Sequence, residues 1–241
     1  MIQTLRYLLA ITILTVWHGG AVIVSALLRV KHREGGVYDR AQRRWGRGML
    51  RWTGVQVRVE GGEKLSSAPA VYIANHASFI DIWALLQELP GTVRFVFKKE
   101  MNRIPVLGLA MRSMQHIPID RKNLSAAFAA YEEAAVLIRG GISAVVFAEG
   151  TRSRDGKLHT FKKGPFVLAI AAGVPVIPVL CEGTFAALPK GSMTPRRGRV
   201  TLRIGDPIPT TGLSYDDRNP LSQSARAQLV AMGAEPVETP A

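Results

Sequence analysis

In the stretch "VYIANHASFIDIWALL", Val71 to Leu86, a β-like apolar run stops at Asn75 and His76, and a helix-like pattern starts at once. Asp81 follows His76 by five residues, within the first turn or so of that helix. A histidine and a carboxylate placed together at such a turn can act as a general base and its orienting partner. Histidine has a reference pKa of about 6.5, so it is largely neutral near pH 7 and able to take a proton. The carboxylate fixes the imidazole tautomer and stabilises the imidazolium that forms. The plainer reading is a helix cap beside a surface histidine. No G-x-S-x-G elbow occurs in the chain, so no serine completes a hydrolase-like triad. Ser78 lies inside the loop, and the lone Cys181, at a strand end, reads as packing rather than as a nucleophile.

A second group of residues suits an anion. "VVFAEGTRSRDGKLHTFKKG" places Glu149, Gly150, Thr151 and Arg152 just past an apolar run, and "FVFKKEMNRIPVLG" does the same for Lys98, Lys99 and Glu100. "HIPIDR" adds Asp120 and Arg121. A phosphomonoester carries up to two negative charges, and arginine grips such oxygens in a bidentate fork. Arg152 is the first candidate, with Gly150 beside it to let backbone approach the ligand. Glu149 is expected to orient Arg152 and its loop. The alternative is that these are solvated charges. The same choice applies to Arg154, Lys157, Lys162 and Lys163, which suit either a solvated face or carrier phosphates and lipid headgroups. The five histidines form no metal-binding spacing, and the chain has neither a G-x-G-x-x-G nor a G-x-x-x-x-G-K-[ST] loop. No metal and no nucleotide cofactor are expected.

The elements that must hold these loops follow from periodicity. Strands are expected at Val55 to Val59, Ala70 to Ala74, Val93 to Phe97, Ile142 to Phe147, Val174 to Leu180 and Val200 to Ile204. Helical segments lie between them at Ile82 to Leu89, Leu124 to Arg139 and Pro165 to Ala172. This alternation predicts an α/β fold with a mostly parallel central sheet flanked by helices. In such folds chemistry gathers at loops leaving the carboxyl ends of strands, where the three loaded loops fall. The α/β domain is expected over residues 54–215, with a polar, partly loose tail over 216–241.

The first 53 residues differ in kind. From Tyr7 to Leu28 no residue carries a full charge, and about 20 apolar residues suffice to cross a bilayer. His18, Gly19 and Gly20 interrupt this run. Behind it Arg40, Arg43, Arg44, Arg47 and Arg51 recur near helical spacing among Trp45, Met49, Leu50 and Trp52. Arginine and tryptophan together suit a bilayer interface. Val24-Ser25-Ala26 would pass as a signal cleavage site, but the arginines behind it favour the cytoplasmic side. The chain's net charge of +13 at 47% apolar content points to anionic partners, and the single cysteine fits a reducing compartment. A nucleic-acid arm is disfavoured because no recognised motif follows the apolar run. A membrane-anchoring helical segment is the expectation, with spanning and half-inserted forms both open.

Taken together, these blocks resemble the glycerolipid acyltransferase family. His76 and Asp81 match its H-x-x-x-x-D signature, "KKEM" with the following "IP" and "G" and then "IDR" its second block, "EGTRS" its third and "VPVIPV" at Val174 to Val179 its fourth. All four stand in order across roughly Asn75 to Val179. Ala148 stands where the family usually has proline, and Met101 where it usually has leucine; both alter packing rather than reacting groups.

The resemblance implies catalysis by His76 and Asp81. It implies acceptor binding by Glu149, Gly150, Thr151 and Arg152, with Lys98 and Arg121 as further phosphate ligands. The implied reaction moves a fatty acyl group from acyl-CoA or an acyl carrier protein to the free hydroxyl of 1-acylglycerol-3-phosphate, giving phosphatidic acid. It would take place at the cytoplasmic face of the inner membrane, with membrane lipids as partners, no nucleic acid and no cofactor beyond the thioester co-substrate. Two alternatives remain: the same chemistry on another lyso-lipid such as lyso-ornithine lipid, or a non-catalytic lipid-binding protein.

Overall fold

In the computed structural model, which describes residues 2–237, one seven-stranded sheet carries the chain. The strands are β1 (Val55–Glu60), β2 (Val71–Ala74), β3 (Thr92–Lys98), β4 (Ile117–Ile119), β5 (Ile142–Phe147), β6 (Val176–Glu182) and β7 (Gly198–Ile204). The helices are α1 (Ile2–Leu27), α2 (Val37–Thr53), α3 (Ile80–Glu88), α4 (Leu107–Ser113), α5 (Leu124–Arg139), α6 (Gly164–Ala172), α7 (Thr184–Ala187) and α8 (Arg218–Ala231). The sheet order is β1-β7-β6-β2-β5-β3-β4, and every pairing is parallel except β6 with β7. The expected α/β architecture is the one observed.

Both faces of the sheet are covered, which is why the central strands read as continuous apolar runs. Successive residues of β2 serve opposite faces. Val71 and Ile73 pack towards Ala134, Ile138, Phe166 and Leu168 of α5 and α6, while Tyr72 and Ala74 pack towards Ala84, Leu85 and Leu89 on the α3 side. In register, Ala74 lies opposite Phe147 of β5 on one side and Val179 of β6 on the other. The loop leaving β2 therefore emerges between the carboxyl ends of its two neighbours, where parallel α/β sheets place their sites.

Two segments pack more closely than the sequence shows. The tail expected to be polar and partly loose contains α8, whose Leu221, Ala225 and Leu229 are buried in the core. Only these three positions form its apolar stripe, too few to stand out among polar neighbours. Residues 238–241 of that tail lie outside the described residues. Part of the first 53 residues, expected as a membrane-anchoring helical segment, also packs on the α/β domain. Met49 and Leu50 of α2 share a core cluster with Ile80 and Trp83 of α3. Asp39 and Arg94, 1% and 2% exposed, form an ion pair at 2.8 Å that ties α2 to β3. Breaking such a buried pair from one side costs about 3–5 kcal/mol. Two helices (α4 and α7) and β4 add to the expected elements, each being too short to show a period in the sequence.

Candidate active site

The turn after β2 is built by polar side chains that complete backbone pairing. Asn75 Nδ2 donates to the Cys181 carbonyl at 3.2 Å, and the Cys181 N–H donates to Asn75 Oδ1 at 2.7 Å. The amide thus extends the β2–β6 ladder by one rung beyond the strand. Ser78 Oγ accepts the Ile80 N–H at 3.1 Å and donates to the Leu188 carbonyl at 2.8 Å. That local acceptor and the carboxylate of Asp81 let α3 begin at Ile80 instead of Ile82.

Asp81 is fully buried in the first turn of α3. Its Oδ2 lies 2.8 Å from His76 Nδ1 and accepts the N–H groups of Ala77 and Ser78, also at 2.8 Å. With Nδ1–H donating to this oxygen, Nε2 carries the free lone pair. The imidazole lies flat on Phe147, with centroids 3.8 Å apart and planes 12° apart. Its side chain remains 14% exposed, enough for a substrate atom to reach it. The ring is held on a face and at one nitrogen, and the other nitrogen is left to react.

Glu149 does not orient Arg152. Its two oxygens accept the main-chain N–H of His76 at 2.7 Å and of His159 at 3.0 Å. The Ser153 N–H adds a 2.7 Å bond to the His76 carbonyl. The "EGTRS" loop thus grips the histidine's own backbone. Burial pushes the Glu149 carboxyl up from 4.5 to about 7, although both N–H donors pull it down. In this window the native carboxyl holds a proton that the unfolded one has lost, so its contribution to stability falls as pH rises from about 4.5 to 7. Glu149→Gln should flatten that part of the stability profile, because a neutral amide does not titrate. Urea melts at pH 5 and pH 8 check this; an unchanged slope would contradict it. The amide also has only one acceptor oxygen for two N–H groups, so the variant should be less stable at pH 8 as well.

Arg152 is half-buried, its guanidinium 4.0 Å from the centroid of the Phe79 ring. Burial lowers its pKa and the Asp81 charge opposes that. Among the described residues it makes no salt bridge. Gly150 adopts φ +78°, a conformation that favours glycine, and its carbonyl accepts an N–H of Arg121. Thr151 is exposed, with its hydroxyl accepting from Lys190. Lys98 stands apart: exposed at the end of β3, it pairs with Glu100 at 3.3 Å, while Lys99 pairs with Asp120 at 2.7 Å. The structure therefore joins His76, Asp81, Glu149, Thr151 and Arg152 closely, attaches Arg121 through Gly150, and leaves Lys98 on the rim.

Other candidate nucleophiles are out of play. Both hydrogen-bonding roles of the buried Ser78 hydroxyl are taken. Cys181 is buried and its thiol is pushed well up by that burial. His116 is a buried acceptor for the Phe95 N–H at 2.8 Å, and burial with Arg94 nearby pushes it down to about 3. His159 pairs with Asp155 at the surface.

Three features of the site are not evident from the sequence: Asn75, Phe147 and Lys190. A polar residue ending an apolar run is the available signal for Asn75. The other two act through contacts distant in sequence.

The arrangement can remove a proton from a hydroxyl beside an anion. The chain is similar to known proteins. The sequence family described as Acyltransferase matches residues 56–182, more than half of the chain. A 1-acyl-sn-glycerol-3-phosphate acyltransferase of Cocos nucifera is 34% identical over 197 residues, covering 81% of this chain and 62% of that protein. One of Limnanthes douglasii is 38% identical over 172 residues, covering 70% of this chain and 60% of that protein. The chain thus spans about three-fifths of these relatives' length. The crystal structure of the 1-acyl-sn-glycerophosphate (LPA) acyltransferase PlsC from Thermotoga maritima superposes with a TM-score of 0.79 at 29% identity, covering 98% of this chain and 97% of that one.

Proposed function

The chain belongs to the Acyltransferase family, and we propose that it moves a fatty acyl group from an acyl thioester to the free hydroxyl of 1-acylglycerol-3-phosphate, giving phosphatidic acid. The observation that carries this reading is the His76 Nδ1 to Asp81 Oδ2 contact of 2.8 Å beside a half-buried arginine that makes no salt bridge among the described residues. Nε2 of His76 takes the proton of the acceptor hydroxyl as its oxygen attacks the thioester carbonyl. The carbon–sulfur bond then breaks, and the imidazolium returns the proton to the departing thiolate. Asp81 steadies the imidazolium between the two steps, and Arg152 holds the acceptor phosphate. Acyl-CoA or an acyl carrier protein supplies the thioester as co-substrate, with no cofactor.

The lipid acceptor places the reaction at a membrane surface, and α1 supports that reading. Tyr7, Ala10, Gly19 and Val22 bury one face of α1, with Tyr7 in the cluster that holds Met49 of α2 and Val22 in the one that holds Ala110 of α4. Leu5, Leu9, Ile13, Val16, Trp17, Val24 and Leu27 are left exposed on it, each more than half. A helix docked along the domain by one face and apolar on the other suits lying in the interface better than crossing it. Arg40, Arg44, Arg47 and Arg51 of α2 remain exposed to meet anionic lipid, while Arg43 is occupied by the Gly91 carbonyl at 2.8 Å. The cytoplasmic face of the inner membrane is the setting this reading assigns, because the thioester arrives from the cytosol.

A headgroup panel tests the acceptor. Purified protein in vesicles is given acyl-CoA and lyso-acceptors of one chain length bearing phosphate, phosphocholine, ornithine or no headgroup. Turnover of the phosphate acceptor should exceed the others by about tenfold or more, the equivalent of one charge-assisted hydrogen bond. Preference for the ornithine acceptor would reassign the substrate, and no turnover with any of them would leave a lipid-binding protein.

A further inference from the structure

The segment joining α7 to β7, "LPKGSMTPRR" from Leu188 to Arg197, has no regular structure, yet it is fastened at three places. Its Leu188 carbonyl accepts the Ser78 hydroxyl in the loop that carries His76. Its Lys190 Nζ donates to Thr151 Oγ1 at 3.1 Å and to the main-chain carbonyl of Arg152 at 2.9 Å. Its Thr194 hydroxyl lies 3.0 Å from the hydroxyl of Thr4 on α1.

Lys190 is half-buried, and among the described residues neither it nor Arg152 has a carboxylate within salt-bridge distance. Lys190 thus brings a second positive charge to the loop that carries Arg152, whose own charge is opposed in part by the buried Asp81, and an anion arriving at that loop is attracted by both cations. An ammonium has three donors, and the two protein oxygens use two. One N–H is left for a ligand.

We propose that Lys190 is a specificity-determining residue for the acceptor: with Arg152 it forms a two-cation clamp that selects a phosphomonoester over a headgroup of lower charge. The proposal rests on the reading that the acceptor is 1-acylglycerol-3-phosphate. A phosphomonoester brings up to two negative charges, whereas a phosphodiester brings one and a bare glycerol none. Arg152 suffices for the single charge, and the second cation matters only for the monoester. Because the same loop bonds to α1, the clamp stands next to the helix that faces the lipid.

The test is a selectivity measurement on Lys190→Met, which keeps the aliphatic stem and removes the charge. Wild type and variant are assayed with acyl-CoA and three acceptors: 1-acylglycerol-3-phosphate, lysophosphatidylglycerol and monoacylglycerol. In the variant, kcat/KM for the monoester should fall about tenfold or more, mainly through KM, as expected for loss of one charge-assisted contact. Values for the other two acceptors and the KM for acyl-CoA should stay within about twofold, so the selectivity ratio collapses. Lys190→Arg should retain most of the ratio. A lysine that only braces the loop would lower all three acceptors together; that result, or an unchanged ratio, overturns the proposal. Lys190→Gln, with the same readout, replaces the methionine variant should that one not fold. A wild-type enzyme that ignores the monoester while acylating another acceptor would instead overturn the reading beneath it, and this proposal with it.

Discussion

Turnover by His76→Ala is expected to drop by at least ~10²-fold while the protein stays folded, since a positioned general base contributes ~10²–10⁴-fold. The imidazole contributes little to the fold. It lies on Phe147 at the end of β5 and keeps 14% of its surface exposed, so its removal leaves a shallow surface gap instead of a closed cavity. The bonds that shape the turn survive, because Glu149 and Ser153 bond the main chain of residue 76 and not its ring. The loss should fall on kcat, with little change in either KM. Phosphatidic acid formation in vesicles, with circular dichroism as the fold control, checks this. Near-normal turnover would remove His76 from the chemistry.

Asp81→Asn should cost a comparable factor, on the order of 10²–10⁴; the same change to the aspartate of a serine-protease triad sits at the upper end of that range. Asp81 Oδ2 accepts the His76 ring and two main-chain N–H groups. An asparagine can keep all three by placing its oxygen there and turning its amide towards the side of Oδ1, which has no hydrogen-bond partner among the described residues. The geometry is then preserved and the charge is lost. Because Asp81 is 0% exposed, water does not screen its attraction for the imidazolium, so the charge matters during proton transfer. Steady-state kinetics should show kcat reduced and both KM values nearly unchanged. The opposite pattern, a raised KM at full kcat, would make Asp81 a binding residue.

Residues whose roles are local in sequence are legible in it. His76 and Asp81 sit five apart across a strand-to-helix turn, and that spacing alone brings a ring nitrogen to a carboxylate. The six longer strands match their expected bounds within about two residues, the central ones as continuous apolar runs buried on both faces and β1 and β7 by their alternation of apolar and polar residues. Glu149 shows the limit. Its proximity to Arg152 in the chain invites an ion pair, yet its oxygens face the backbone of His76, 73 residues away in sequence. Nothing in a string of residues marks an acceptor for a distant N–H. Lys190, 38 residues beyond Arg152, is hidden for the same reason among the other basic residues of its loop. Asp39 is hidden differently: one acid in an arginine-rich helix reads as surface, whereas it is the partner of a buried Arg94. α8 escapes notice because three small or medium apolar residues carry its buried face.

The mechanism makes the acceptor's own hydroxyl the nucleophile, activated by His76, with no acyl group passing through the protein. Mixing stoichiometric wild-type protein with acyl-CoA in vesicles, first without and then with 1-acylglycerol-3-phosphate, tests this directly by following free thiol and the intact protein mass. Without acceptor there should be no burst of thiol and no added acyl mass. On adding acceptor, thiol and phosphatidic acid should appear together in equal amounts, and the His76→Ala protein should produce neither at a comparable rate. A thiol burst without acceptor, accompanied by an acyl adduct on Ser78, Cys181 or His76, would contradict the account.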